Sequence, residues 1–497
     1  MNQYNRQIVN NSIFSIIQIL VVTLSAFFLY KYIIDVSGIE KLGLWSLILS
    51  VTSLANIGNL GFTGSLVKFT AELSVQKKFK EINALLNSSI VGVGVLTAIL
   101  LCIIYVIGKH YMGYLIDEKW VQLAIEMLMY ALISLYVSII ASMYFSVLEG
   151  VNLAYLKSLS FIFATLIYVI FSVIFINKYD IIGMAYAQLI QAGSFLIFGV
   201  LFSFSKLERF QLFYFKWHKE KIKEVFNYGV KFQAIGVAQM LYDPITKAIL
   251  TKYGGLDFVA IFEMCTKLVK QVRSLASGVL QNIVPKITTL SVTQPKEKIN
   301  EAYLQINRIN LILLFFSMVV IIPFSKVFSI LLLGYVNNHF IIVLTCLVIG
   351  WGINSLNIPS YMVNLGTGNL RWNVISHFVI GVLNVLLCFM VGYFFRNGIY
   401  IIISWIVALI IGSSFIIIEY HIRNKLNLTI IFDKVFFQLC SFFILLTAIN
   451  FFLIRNIENI WISASITLGL ILIYYGAILF LIGSIRAQIK AIIKTRF

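Results

Sequence analysis

Apolar runs of about twenty residues recur from one end of the chain to the other, and short stretches between them hold most of the charge. As helices, runs of that length cross about 30 Å of hydrocarbon. They do not alternate apolar and polar residues with period two, so a membrane-spanning barrel is not expected. The pattern predicts fourteen helices, over 8–34, 42–67, 84–108, 121–148, 156–177, 182–204, 226–251, 258–283, 301–324, 339–364, 372–395, 399–420, 435–454 and 460–483. An even number returns the chain to the side it started from. The fold class is therefore an all-α polytopic membrane protein.

Composition agrees. The 497 residues are 60% hydrophobic and 12% charged, and the mean hydropathy is +0.94. The opening "MNQYNRQIVNNSIF" lacks the charged start, apolar run and small-residue site of a cleaved leader, so the first helix is expected to be retained. None of the five cysteines forms a CxxC pair, and the five histidines are scattered. Neither a metal site nor a nucleophile–base pair is indicated. There is no GxxxxGK[ST] loop, so no nucleotide is expected to be hydrolysed. These absences point to a secondary transporter without cofactors rather than to an enzyme.

The net charge of +18 acquires meaning from its placement. About 23 of the 38 basic residues fall at the termini and in every second loop, and about nine on the opposite side. The excess of lysine and arginine marks the cytoplasmic side, so both termini are expected there. The remaining cations, Lys231, Lys247, Lys267, Lys270, Arg273 and Arg308, lie inside predicted helices, all from the seventh onward.

Laying residue n over residue n+217 reveals an internal repeat. "SGIEKLGLW" (Ser37–Trp45) falls on "GGLDFVAIF" (Gly254–Phe262), and "LEGVNLAY" (Leu148–Tyr155) on "LGTGNLRW" (Leu365–Trp372). Six helices separate the copies, so both share one orientation and are related by an axis along the membrane normal. The expected organisation is a first lobe over 1–204 and a basic cytoplasmic linker over 205–225. A second lobe over 226–433 follows, then two further helices and a basic tail over 434–497.

The repeat also sorts the intramembrane polar residues. Subtracting 217 from Glu263, Lys267, Lys270 and Arg273 gives Ser46, Ser50, Ser53 and Asn56. One copy places small polar residues where the other places ions. A polar face in a membrane helix should point to protein or to a water-filled cavity. The expectation is a central cavity with one neutral and one cationic wall. Asn11, Ser15 and Gln18 of the first helix extend the neutral wall. Asp243 and Lys247, like Glu263 and Lys267, stand one turn apart and can offset each other, which leaves a positive excess. Such a cavity attracts an anion, and phosphate or pyrophosphate suits lysine and arginine together. Asp243, Glu263 and Glu126 are the candidates for ion coupling. Pro244 and Pro359, inside predicted helices seven and ten, are candidate hinges.

The N-terminal "NNSIFSIIQILVVTLSAFFLYKYIIDVSGIEKLGLWSLILSVTSLANIGNLGFTGSLVKFTAE", with the glycine–asparagine turns at Gly150–Leu153 and Gly366–Leu370, resembles bacterial polysaccharide flippases of the Wzx type. These belong to the multidrug/oligosaccharidyl-lipid/polysaccharide exporter superfamily. The resemblance covers nearly the whole chain. It implies two six-helix lobes, as in the multidrug-and-toxin (MATE) exporters, working by alternating access in the inner membrane. The implied substrate is an undecaprenyl-pyrophosphate-linked oligosaccharide, moved outward for O-antigen, capsule or a related lipopolysaccharide or glycan. A polysaccharide polymerase complex is an implied partner. Two other readings stay open: a multidrug-and-toxin exporter, which Asp243 would suit, and a flippase of another polyprenyl-linked cell-wall precursor.

Overall fold

The computed structural model describes residues 3–54, 62–207, 210–211, 241–281, 284–455, 457 and 459–481. Among these residues the secondary structure is helical, without strands. The first unit, Met1–Ala260, contains α1 (Gln3–Ser37), α2 (Ile39–Leu54), α3 (Phe62–Val75), α4 (Phe79–Leu115), α5 (Glu118–Gly150), α6 (Ala154–Tyr179), α7 (Ile182–Lys206) and α8 (Asp243–Tyr253). The division between the units falls inside α9 (Leu256–Gln281), and most of the expected linker over 205–225 lies outside the described residues. The second unit, Ile261–Phe497, holds the rest of α9 with α10 (Val284–Thr293), α11 (Lys296–Ile321), α12 (Ser325–Leu333), α13 (Asn338–Ser355), α14 (Ile358–Gly366), α15 (Arg371–Phe395), α16 (Gly398–Asn424), α17 (Lys434–Ile454) and α18 (Ile460–Leu481).

Eleven helices among the described residues are long and apolar enough to cross a membrane. The other three predicted crossings fall on α2, α8 and α9. α2 runs up to residues outside the described set, and α8 begins after a turn at 241–242, before which the residues lie outside it. In α9 every stretch of membrane-spanning length contains Lys267, Lys270 and Arg273. The outer surfaces suit lipid. Ile99, Ile103 and Val106 on α4, and Phe389, Met390 and Tyr393 on α15, are exposed in rows that water would not tolerate.

In the first unit α5 is the central helix, packed against α2, α3, α4, α6 and α7. One side of it joins Leu66, Leu86 and Val93 through Met143 and Val147. Another meets α6 and α7, where Phe145 stacks on Phe195 with centroids 4.4 Å apart. The turn between α1 and α2 is tied to the turn between α6 and α7. Ser37 Oγ donates to Asp180 Oδ1 at 2.6 Å, and Lys41 pairs with the other carboxylate oxygen. Partial burial alone would push this carboxyl up. The hydrogen bonds of Lys41 and Ser37, the lysine charge and the Ile181 N–H together hold it below its ordinary value.

The second unit gathers Ile287, Tyr303, Ile306, Met362, Val363 and Tyr420 into a core. The α17–α18 hairpin is pinned by Asn450, which donates to Pro323 O at 3.1 Å and accepts from Thr467 at 2.9 Å.

The backbone carries the sequence repeat. α2, α4 and α6 begin at Ile39, Phe79 and Ala154; α9, α11 and α15 begin at Leu256, Lys296 and Arg371, each 217 positions later. Gly38 and Gly255, the residues before α2 and α9, have φ of +91° and +92°. That left-handed conformation strains any residue with a Cβ, so both copies put glycine there. The copies differ at proline. α4 and α5 run unbroken, whereas their counterparts split into α11 with α12 and α13 with α14. Pro323 lies in the first split and Pro359 just after the second. Proline lacks an N–H and clashes with the carbonyl four residues back, so the helix before it stops. Pro359 thus opens a new helix instead of bending a continuous one. Pro244 likewise sits in the first turn of α8.

Candidate functional site

The cationic helix α9 carries Glu263, Lys267, Lys270 and Arg273 within three turns. Lys267 and Arg273 are half-buried and Lys270 is exposed. Glu263 is half-buried one turn before Lys267. Arg273 is held in place. Its Nη2 donates to Asn354 Oδ1 at 3.1 Å, and its guanidinium lies 4.1 Å from the centroid of the Trp351 ring. Both partners belong to the last turns of α13, which stops at Ser355. A helix C-terminus leaves carbonyls unpaired and carries partial negative charge, so a cation is favoured there. Stacking on tryptophan adds to that attraction and uses the planarity that lysine lacks.

Beside Arg273 lies a cavity of about 30 Å³, bordered by Asn310, Ser317, Trp351 and Ser355. That is room for a water molecule with polar partners. Asn310 Nδ2 donates to Ser355 O at 2.9 Å. The Trp351 indole N–H is buried without a hydrogen-bond partner among the described residues.

A polar seam continues through the second unit. His377 lies within electrostatic reach of Arg273, and its ring stands edge-on to Tyr361. Asn373 donates to Tyr361 O at 3.3 Å and accepts from Asn364 Nδ2 at 3.0 Å. Arg423 donates to Asn364 Oδ1 at 2.6 Å and pairs with Glu419, one turn back, at 3.4 Å. Asn364 and Asn373 are fully buried. Where the second copy has Asn354, Asn364 and Asn373, the first has Val137, Val147 and Leu156. Sequence reasoning misses this seam because charge stands out in an apolar run and asparagine does not, and Arg423 falls beyond the predicted helix over 399–420. The signal available was the recurrence of asparagine through "NSLNIPSYMVNLGTGN", an otherwise apolar stretch.

The expected neutral wall is more closed than its sequence suggests. On α2, Ser46 and Ser50 are buried, and Ser53 is half-buried. Ser50 donates to Ser46 O at 2.8 Å and Ser53 to Ser50 O at 2.7 Å, so these two hydroxyls are satisfied by their own helix. α8 packs on α2 and carries Lys247, only 6% exposed. Asp243, the first residue of α8, is half-buried. On α1, Asn11 Oδ1 accepts from the Tyr155 N–H at 2.8 Å, in the first turn of α6. Ser15 donates to Asn11 O at 2.8 Å and lies 3.4 Å from the Ser158 hydroxyl. These contacts dock α1 onto α6. Gln18 is half-buried, and Arg308 and Glu126 are exposed. Lys231 and Asn56 fall outside the described residues.

Comparison with solved structures gives the fold its context. An inward-facing multidrug resistance MATE family transporter of the MOP superfamily is 16% identical, with a TM-score of 0.71 over 84% of this chain and 98% of that one. The lipid II flippase MurJ, in an inward closed conformation, is 14% identical, with a TM-score of 0.65 over 95% and 99%. A MATE in complex with MaL6 is 17% identical, with a TM-score of 0.57 over 85% and 96%. The fold is therefore that of these proteins, as the resemblance implies, and the chain's own apolar helices make it a multi-pass membrane protein. No curated protein matches the chain. The model of the family described as "Polysaccharide biosynthesis protein" matches residues 8–291, more than half of the sequence, and to that family the chain belongs.

Proposed function

We propose that this protein is a flippase that carries a polyprenyl-pyrophosphate-linked oligosaccharide across the bacterial inner membrane by alternating access. The observation that carries the reading is α9, a helix within a membrane fold that bears Lys267, Lys270 and Arg273. A charge at mid-bilayer costs about 2.5–3.5 kcal/mol even on the insertion scale, so three on one helix call for a compensating partner. A pyrophosphate headgroup is such a partner, and membership of a polysaccharide biosynthesis family supplies a lipid-linked sugar to bear it. In this reading Arg273, anchored on Trp351 and Asn354, sets the orientation, and Lys267 and Lys270 meet the phosphates. An ion gradient drives the cycle.

The test is flipping of a lipid-pyrophosphate oligosaccharide in reconstituted vesicles, with wild type compared with Lys267→Gln/Lys270→Gln at matched insertion. This double variant leaves the Arg273 contacts intact. Each charge-assisted hydrogen bond contributes about 1.5–3 kcal/mol, so transport at low substrate should fall at least about tenfold. Wild-type rates would remove the headgroup role and favour a cationic-drug exporter, which the same vesicles can assay. Collapsing the pH gradient in parallel tests whether protons are the driving ion.

A further inference from the structure

Two cavities open side by side at one end of the second unit, where α11, α12, α13 and α17 meet. They measure about 500 Å³ and about 450 Å³, and they share Lys326, Val336 and Arg455. The first is polar, with Tyr335 beside the two cations. The second runs inward past Ile341, Phe451 and Ile454 to Pro323. No carboxylate lines either one among the described residues. The cation count assigns this end of the bundle to the outer face, opposite the termini.

The walls are built rather than incidental. Lys326 Nζ donates to the carbonyl oxygens of Ile454 at 2.8 Å and Ile457 at 2.9 Å, at the end of α17. That places a cation at the carbonyl end of the helix, where partial negative charge collects, and it fixes an ammonium where the two chambers join. Ser329, fully buried, donates to Tyr335 O at 3.0 Å and accepts from the Asn337 N–H at 2.8 Å, which holds the facing loop. Arg455 is exposed, and its guanidinium makes no hydrogen bond or ion pair with a described residue.

A cationic chamber that opens into an apolar one is complementary to a molecule with an anionic head and a hydrocarbon chain. A guanidinium grips phosphate oxygens in pairs, and a nearby fixed ammonium adds charge without needing to move. We propose that the paired cavities bind a phosphate-bearing amphiphile, its headgroup on Arg455 and Lys326 and its chain between Ile341 and Phe451. The site is separate from α9 and does not depend on what the protein transports.

The experiment uses the full-length protein in neutral detergent, with phosphatidylglycerol as the probe, phosphatidylcholine as the uncharged control and inorganic phosphate as the chain-free anion. Native mass spectrometry reads retained lipid. Phosphatidylglycerol should be retained in preference to phosphatidylcholine and should survive millimolar phosphate. Arg455→Gln should weaken retention about tenfold, as loss of a charge-assisted contact predicts. Ile341→Trp should weaken it by filling the chain slot. Should the tryptophan variant not fold, the surface change at Arg455 still decides the matter. Undiminished retention in Arg455→Gln, equal retention of phosphatidylcholine, or displacement by inorganic phosphate alone would each overturn the proposal.

Discussion

Gly43 stands where a methyl group would lie 2.0 Å from the carbonyl oxygen of Leu256 and 2.7 Å from its carbonyl carbon. The obstacle is backbone, so no rotamer change relieves it. Gly43→Ala should therefore lower stability by about 1–3 kcal/mol, the usual cost of overpacking. Gly92, in the interior of α4, has nothing within 4 Å of its added methyl. There alanine removes backbone freedom from the unfolded chain and should gain up to about 1 kcal/mol. Thermal unfolding of both variants in one detergent separates the two effects, and a Gly43→Ala variant as stable as wild type would contradict the Gly43 contact. At this scale the sequence disclosed charge better than partnership. Lys267, Lys270 and Arg273 were legible as cations on one helix because charge is rare in an apolar run. Trp351 and Asn354 were not legible as the partners of Arg273, because that contact needs α13 to end at Ser355. Asn11 and Ser15 read as cavity residues from their helical spacing, yet spacing does not say which neighbour a helix face meets, and here it is α6.

Among elements, the decisive difference between the two copies is proline. Helix positions were legible because hydrophobic runs and the offset of 217 fix them independently, and α9, α11 and α15 start where the repeat places them. At Pro359 the sequence offers only a candidate hinge, since a proline inside an apolar run can bend a helix or break it, and packing decides. At Pro359 the chain turns through Leu356 and Asn357 before α14 begins. Pro359 stands in the first turn of that helix, where its missing N–H would have had no intrahelical partner. Pro359→Ala should thus change stability by less than about 1 kcal/mol. If the break serves as a hinge, the same variant should slow transport severalfold, because a residue with an N–H lets α13 and α14 join. Vesicle transport at unchanged melting temperature is the supporting result, and unchanged transport would mark the break as static.

For the molecule as a whole, each unit is laced by polar ties between residues distant in sequence, and these respond to conditions that the lipid-facing helices do not feel. The tie of Ser37 and Lys41 to Asp180 joins the start of the first unit to its sixth and seventh helices. Asp180 lies in the short turn between the spans Ala154–Tyr179 and Ile182–Lys206, so the pH of the surrounding solution reaches it. The Asp180 carboxyl is held below its ordinary value of 3.8 in the folded state. A depressed folded pKa means that the unfolded chain takes up the proton first as pH falls. The stabilisation is therefore complete above the ordinary carboxylate range and drains away as pH drops through the folded value. The side chain is half exposed, at 50%, so added salt should also weaken the tie. Asp180→Asn removes the titrating charge but keeps an acceptor for Ser37. Wild type should unfold at a higher temperature than this variant near neutral pH, and the gap should close as pH falls toward about 3. A gap that stays constant with pH would mean that Asp180 contributes through packing alone. A gap that widens in acid would place the carboxyl in surroundings that favour its protonated form.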